Sequence, residues 1–197
     1  MQEITAKPLA PALLGMEGIS KRQIEEHYTL YQGYVNKTNE IRSKLESVDR
    51  SKANQTFSDL RELKVELSFA WNGVKLHEWY FENLGGSGGQ PSGKLLQALE
   101  ANFGSFDKYV EDLKASGISA RGWVVTALDE ADGKIYNYVA DAHNMYGIWK
   151  AIPLVVLDTY EHSYVIDYGV KRPPYLDAFM KNLNWDVVAE RLQKAGQ

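Results

Sequence analysis

Two stretches of the chain carry a helical stripe of the same period. Over residues 20–49, Ile24, His27, Tyr31, Tyr34, Thr38, Ile41, Leu45 and Val48 recur every three or four residues, the spacing of a long helix packed against another. Ser20 followed three residues later by Gln23 predicts a capping box at its start. After the polar break SVDRSKANQ, a second stripe of Leu60, Leu63, Leu67, Ala70, Val74, His77, Phe81 and Leu84 predicts a helix over residues 56–83. Matching stripes and a short connection predict an antiparallel helical hairpin. Each stripe carries one histidine.

The texture changes beyond GGSGGQPSG, residues 85–93, whose density of Gly, Ser and Pro predicts a flexible linker. Residues 94–103 and 106–116 read as short helices. GWVVTALD and KIYNYVA, separated by EADG, predict a β-hairpin, and PLVVLD a third strand. PPYLDAFMKNL and WDVVAERLQ close the chain as helices. The plan is α+β: helices over residues 1–84, the linker 85–93, then a small sheet flanked by helices over residues 94–197.

The strand PLVVLD ends on Asp158, with His162 four residues further on. A carboxylate at the mouth of a buried strand is costly to desolvate unless a cation or strong hydrogen bonds meet it, and a metal ion is the obvious candidate. The chain has four histidines, His27, His77, His143 and His162, and no cysteine, so thiolate metal sites, iron–sulfur clusters, disulfides and thiol catalysis are excluded. His27 and His77 at matching depth on facing helices, with Asp158 and His162, offer three imidazoles and one carboxylate. That set suits Fe or Mn, and on chemistry alone Zn as well. Aromatics around the histidines, namely Tyr28, Tyr31, Tyr34, Trp71, Trp79, Trp123 and Trp149, are individually plain core and collectively would make a dry shell around an ion.

Charge and composition narrow the partners. A net charge of −4 with no basic cluster gives no reason to expect nucleic acid. No segment approaches the ~20 apolar residues of a membrane span, and the start lacks the basic flank and apolar core of a secretory signal. The expectation is a cytoplasmic protein with no membrane partner. HExxH, a Gly-x-Ser-x-Gly elbow and the Gly-Lys-Ser/Thr of a phosphate cradle are all absent.

At DTYEHSYVIDY the chain resembles the iron/manganese superoxide dismutases. The family signature Asp-x-Trp-Glu-His-x-Tyr stands here as Asp158 to Tyr164, with Tyr160 in place of the tryptophan. HYTLYQGYVNKTN, LHEWYFENL, GGQPSG, RGWVV and KRPPYLDAFMKNLNW match in the same order, so the likeness covers nearly the whole chain. It implies an N-terminal long antiparallel α-hairpin followed by a C-terminal α/β domain with a three-stranded antiparallel sheet, the metal lying between them. It also implies His27, His77, Asp158 and His162 as ligands of one Fe or Mn ion per subunit, iron placed slightly ahead, and disproportionation of superoxide.

The resemblance extends to supporting residues. It implies Tyr34 as the gateway tyrosine, although Tyr34 follows His27 by seven residues where eight are usual. It implies His143 as the hydrogen-bond donor beside the metal, replacing the Gln that one branch of the family carries at the position of Gly73. Trp123 belongs to the shell around the ion. The family forms a homodimer or a dimer of dimers, in which Glu161 reaches the partner subunit's His162. Tyr168 contacts across that interface the position held here by Tyr31, commonly a histidine. Arg172 is implied as a basic contributor near the site, by its place in KRPPYL. A second reading keeps the fold as a catalytically impaired binding or structural module, and a third is another mononuclear iron enzyme.

Overall fold

The computed structural model of the protein describes residues 2–196. The hairpin consists of α1 (Lys21–Ser47) and α2 (Asp59–Glu82). Ser20 caps α1, its Oγ accepting from the Gln23 N–H at 3.1 Å, as the sequence predicts. The reciprocal half of the box is corrected by the structure. The Ser20 N–H goes to Asp167 Oδ2 at 2.7 Å, while the buried Gln23 side chain crosses to the C-terminal half. There its Nε2 donates to the His162 carbonyl at 2.6 Å and its Oε1 accepts from the Ile166 N–H at 3.0 Å.

The segment 85–93 is not a flexible linker. Gly86 and Gly88 donate their N–H groups to the carbonyls of Asn182 and Leu183 at 3.0 and 3.1 Å, and Trp185 Nε1 donates to the Gly89 carbonyl at 2.9 Å. Gly88 has φ +60° and lies against the carbonyls of Met180 and Lys181, where a side chain would collide. The glycines that looked like slack permit a close backbone approach.

Beyond it come α3 (Gly93–Phe103) and α4 (Phe106–Ser119), then β1 (Trp123–Asp129), β2 (Ile135–Ala140) and β3 (Ala151–Asp158). The short α5 (Val165–Tyr168), then α6 (Arg172–Lys181) and α7 (Trp185–Lys194), complete the chain. The sheet has three antiparallel strands in the order β2-β1-β3. Leu154 to Asp158 are all buried because β3 packs against both α2 and α7. One continuous core joins Ile24, Val35, Val74 and Tyr80 of the hairpin to Val124, Val156 and Phe179 of the second half. Register sets Trp123 opposite Asp158 at the rim of the sheet. Among the described residues no helix is long and apolar enough to cross a membrane.

Candidate metal centre

Four elements deliver four side chains to one point: His27 from α1, His77 from α2, Asp158 from the end of β3 and His162 from the turn after it. Their potential ligand atoms all lie within 4.8 Å of one another. Asp158 Oδ2 stands 3.1 Å from the Nε2 atoms of both His27 and His162 and 3.6 Å from Nε2 of His77. The side chains of His27, His77 and Asp158 are fully buried, and His162 is 30% exposed.

Tautomer chemistry tests whether this set fits a cation. His77 Nδ1 lies 2.6 Å from the Gly73 carbonyl, which can only accept, so Nδ1 carries the proton and Nε2 a lone pair. That Nε2 is buried and has no hydrogen-bond partner among the described residues. A lone pair facing a carboxylate in a dry pocket is unfavourable unless a positive ion lies between them. Burial pushes the His27 and His77 imidazoles below their ordinary range, keeping them neutral as ligands must be. Burial alone would raise the Asp158 carboxyl, but the adjacent His162 and hydrogen bonds from His162 and His27 hold it well below the usual carboxylate range. Two imidazoles held neutral, the third imidazole of His162 and an ionised carboxylate make a nitrogen and oxygen set that fits a divalent or trivalent first-row metal.

A second layer holds these groups in place. Asp158 Oδ1 accepts from the Tyr160 N–H at 2.9 Å, and the Asp158 carbonyl accepts from Tyr175 Oη at 2.8 Å. Tyr80 and Phe81 pack on His27 with ring centroids at 4.9 and 5.1 Å, and Trp123 stands edge-on to His77 at 5.1 Å. Tyr160 stacks on His162 at 5.2 Å with 17° between the planes, so an aromatic ring is kept where the family has tryptophan.

His143 joins this layer from the connection between β2 and β3. Its Nδ1 accepts from Trp123 Nε1 at 2.9 Å, and its Nε2 lies 2.8 Å from Tyr34 Oη. An indole N–H can only donate, so in the neutral imidazole the proton sits on Nε2 and is donated to Tyr34. Burial lowers His143 to about 4 and raises Tyr34 to about 12, leaving both in their neutral forms near pH 7.

Tyr31 stands beside this layer, its ring centroid 6.4 Å from that of His77 with 28° between the planes. Tyr31 is buried facing the N-terminal segment, donating to Glu78 Oε1 and accepting from the Lys7 N–H, each at 2.9 Å. Tyr168 donates to the Gly18 carbonyl. Glu161 is exposed, and its carboxylate bonds to no described residue of its own chain. Arg172 is engaged at the end of α4, where Nη1 donates to the carbonyls of Gly117 and Ala120 at 3.0 and 2.6 Å. Gln23, Tyr175 and Phe69 belong to the surroundings of the site and carry no sequence signal beyond a capping pattern and apolar spacing.

A hairpin and an α/β half bring three imidazoles and a carboxylate together as a candidate mononuclear metal site with nitrogen and oxygen ligands. The alpha-hairpin domain of the iron/manganese superoxide dismutases matches residues 11–85, and their C-terminal domain matches residues 91–191. The chain is 51% identical to a superoxide dismutase [Fe] of Aquifex aeolicus, covering 91% of this chain and 87% of that protein. It is 37% identical to a superoxide dismutase [Fe] of Cupriavidus metallidurans over 96% of both chains. A superoxide dismutase [Mn] of Haloarcula marismortui is 31% identical, over 86% of this chain and 82% of that protein. The chain belongs to the iron/manganese superoxide dismutase family.

Proposed function

We propose that this protein disproportionates superoxide to dioxygen and hydrogen peroxide, using one Fe or Mn ion per subunit held by His27, His77, Asp158 and His162. The observation that carries this reading is the buried, unpartnered Nε2 of His77 aimed at a carboxylate that two further imidazoles already face. When bound, the ion supplies one-electron redox chemistry, taking an electron from one superoxide and passing it to another.

The chain's own groups supply position and protons. Trp123 fixes the His143 ring and its tautomer, so Nε2–H points at Tyr34 Oη. Tyr34 then accepts from His143 and keeps its own hydroxyl proton available at the mouth of the site, where the peroxide product needs protons. Phe81, Tyr80, Trp123 and Tyr160 exclude water, which strengthens the electrostatic effect of Asp158 on the ion. Glu161 serves the neighbouring subunit, bonding the partner subunit's His162 in a homodimer, which alone or paired into a dimer of dimers is the working form. The protein acts in the cytoplasm, with neither nucleic acid nor membrane as partner.

Superoxide decay followed by pulse radiolysis tests the reading on metal-reconstituted protein. Decay far above the free-ion rate is expected for the Fe-loaded or the Mn-loaded sample. Free-ion rates in both samples would overturn the proposal.

A further inference from the structure

Glycine is among the poorest residues for a helix interior, yet Gly73 is buried in the middle of α2, one turn before His77. A Cβ at Gly73 would lie 2.9 Å from Cδ1, 3.0 Å from Cγ and 3.2 Å from Cε1 of the Tyr34 ring. Cγ is the root of the ring, so the clash cannot be relieved by a small swing of a flexible tip. Three further rings pack around it. His143 meets it edge-on at 4.8 Å, His77 lies at 5.3 Å and Phe69 at 6.1 Å. Gly33, also inside a helix, has nothing within 4 Å of such a Cβ.

We propose that Gly73 is a positioning residue for the reaction: its bare α-carbon is the seat of the Tyr34 ring and keeps the Tyr34 hydroxyl within reach of His143. The seat is distinct from the other service of Gly73, the carbonyl that holds the His77 tautomer, because alanine keeps that carbonyl. A displacement of the order of an ångström in a positioned group costs up to about 100-fold in rate.

The test compares Gly73→Ala, Gly33→Ala, Tyr34→Ala and the Gly73→Ala/Tyr34→Ala double variant, each as metal-loaded protein, by metal content, superoxide decay and Tm. Gly73→Ala should hold one ion per chain, lose about tenfold or more in activity and melt at a lower temperature. Gly33→Ala should lose no activity and melt slightly higher. Where the ring has been removed, adding Gly73→Ala should cost no further activity and no Tm, the rescue that a direct contact requires. Full activity and unchanged Tm in Gly73→Ala would overturn the inference, as would an equal loss in the Tyr34→Ala background. If Gly73→Ala does not fold, a folded, metal-binding double variant still supports the seat, and an unfolded one refutes it. The activity arm rests on the dismutase reading, whereas the Tm arm does not. Failure of that reading would show as an inactive unmutated protein, while the Tm comparison would still decide the seat.

Discussion

The two ends of the hairpin share one sequence period and have opposite fates. At the end near the sheet, Ile24, His27, Val74, His77 and Phe81 join the main core, and the imidazoles are closed off from water. At the far end, Ile41, Leu45 and Ala70 make a small cluster of their own, with Val48, Leu60, Leu63 and Leu67 only half-buried beside it. Phe57 near the tip is 68% exposed. The difference is a third layer. Only the near end is covered by β3 and the turn after it, and only there are imidazoles buried, because there Asp158 of the other half meets them. Binding chemistry should therefore be confined to one end, and the other should contribute stability alone.

The sharpest way to break this contrast is at the carboxylate. Asp158→Ala should lose stoichiometric metal and all activity above background, as read by metal analysis and superoxide decay. His143→Ala should keep the ion but lose roughly 10- to 100-fold in activity, the usual cost of removing a group that supports a metal site. At the far end, Leu45→Ala should destabilise the fold by about 2–3 kcal/mol in chemical denaturation while leaving activity per bound metal unchanged. Loss of metal in Leu45→Ala would show that the two ends are coupled.

A pH measurement sharpens the same comparison. His143 is lowered in the fold from 6.5 to about 4, so the unfolded chain binds its proton first as pH falls. The stability of metal-free protein is then fully present above about pH 6.5 and is lost towards about pH 4. His27 and His77 shift in the same direction, so His143→Gln should make this loss shallower without abolishing it. Asp158, also lowered, adds a separate loss at still lower pH. The smallest effect belongs to the tip, where Phe57→Ser should change stability by no more than about 0.5 kcal/mol.

Much of the site was legible in the sequence because histidines on a helical stripe and an acid at a strand end are anomalies of burial. His27, His77, Asp158 and His162 stand out as polar residues at apolar positions, and the structure brings all four together. Tyr34 and His143 needed the family resemblance, since nothing in their spacing says that they meet across 109 positions of sequence. The role of Gln23 was concealed by a capping pattern that explains its position but not its side chain. The partners of Arg172 were hidden for a related reason: its guanidinium is held by the carbonyls of Gly117 and Ala120, which only tertiary packing brings to it. The glycines of 85–93 were read as slack because composition does not distinguish a free backbone from one that needs room for hydrogen bonds.

The central claim is that these four side chains are a preformed cradle for one ion, and a calorimetric titration of the metal-free protein tests it most directly. With ferrous or manganous ion the account predicts saturation at one ion per chain, abolished in Asp158→Ala. Absence of binding by the unmutated protein, or equal stoichiometry in Asp158→Ala, would contradict it.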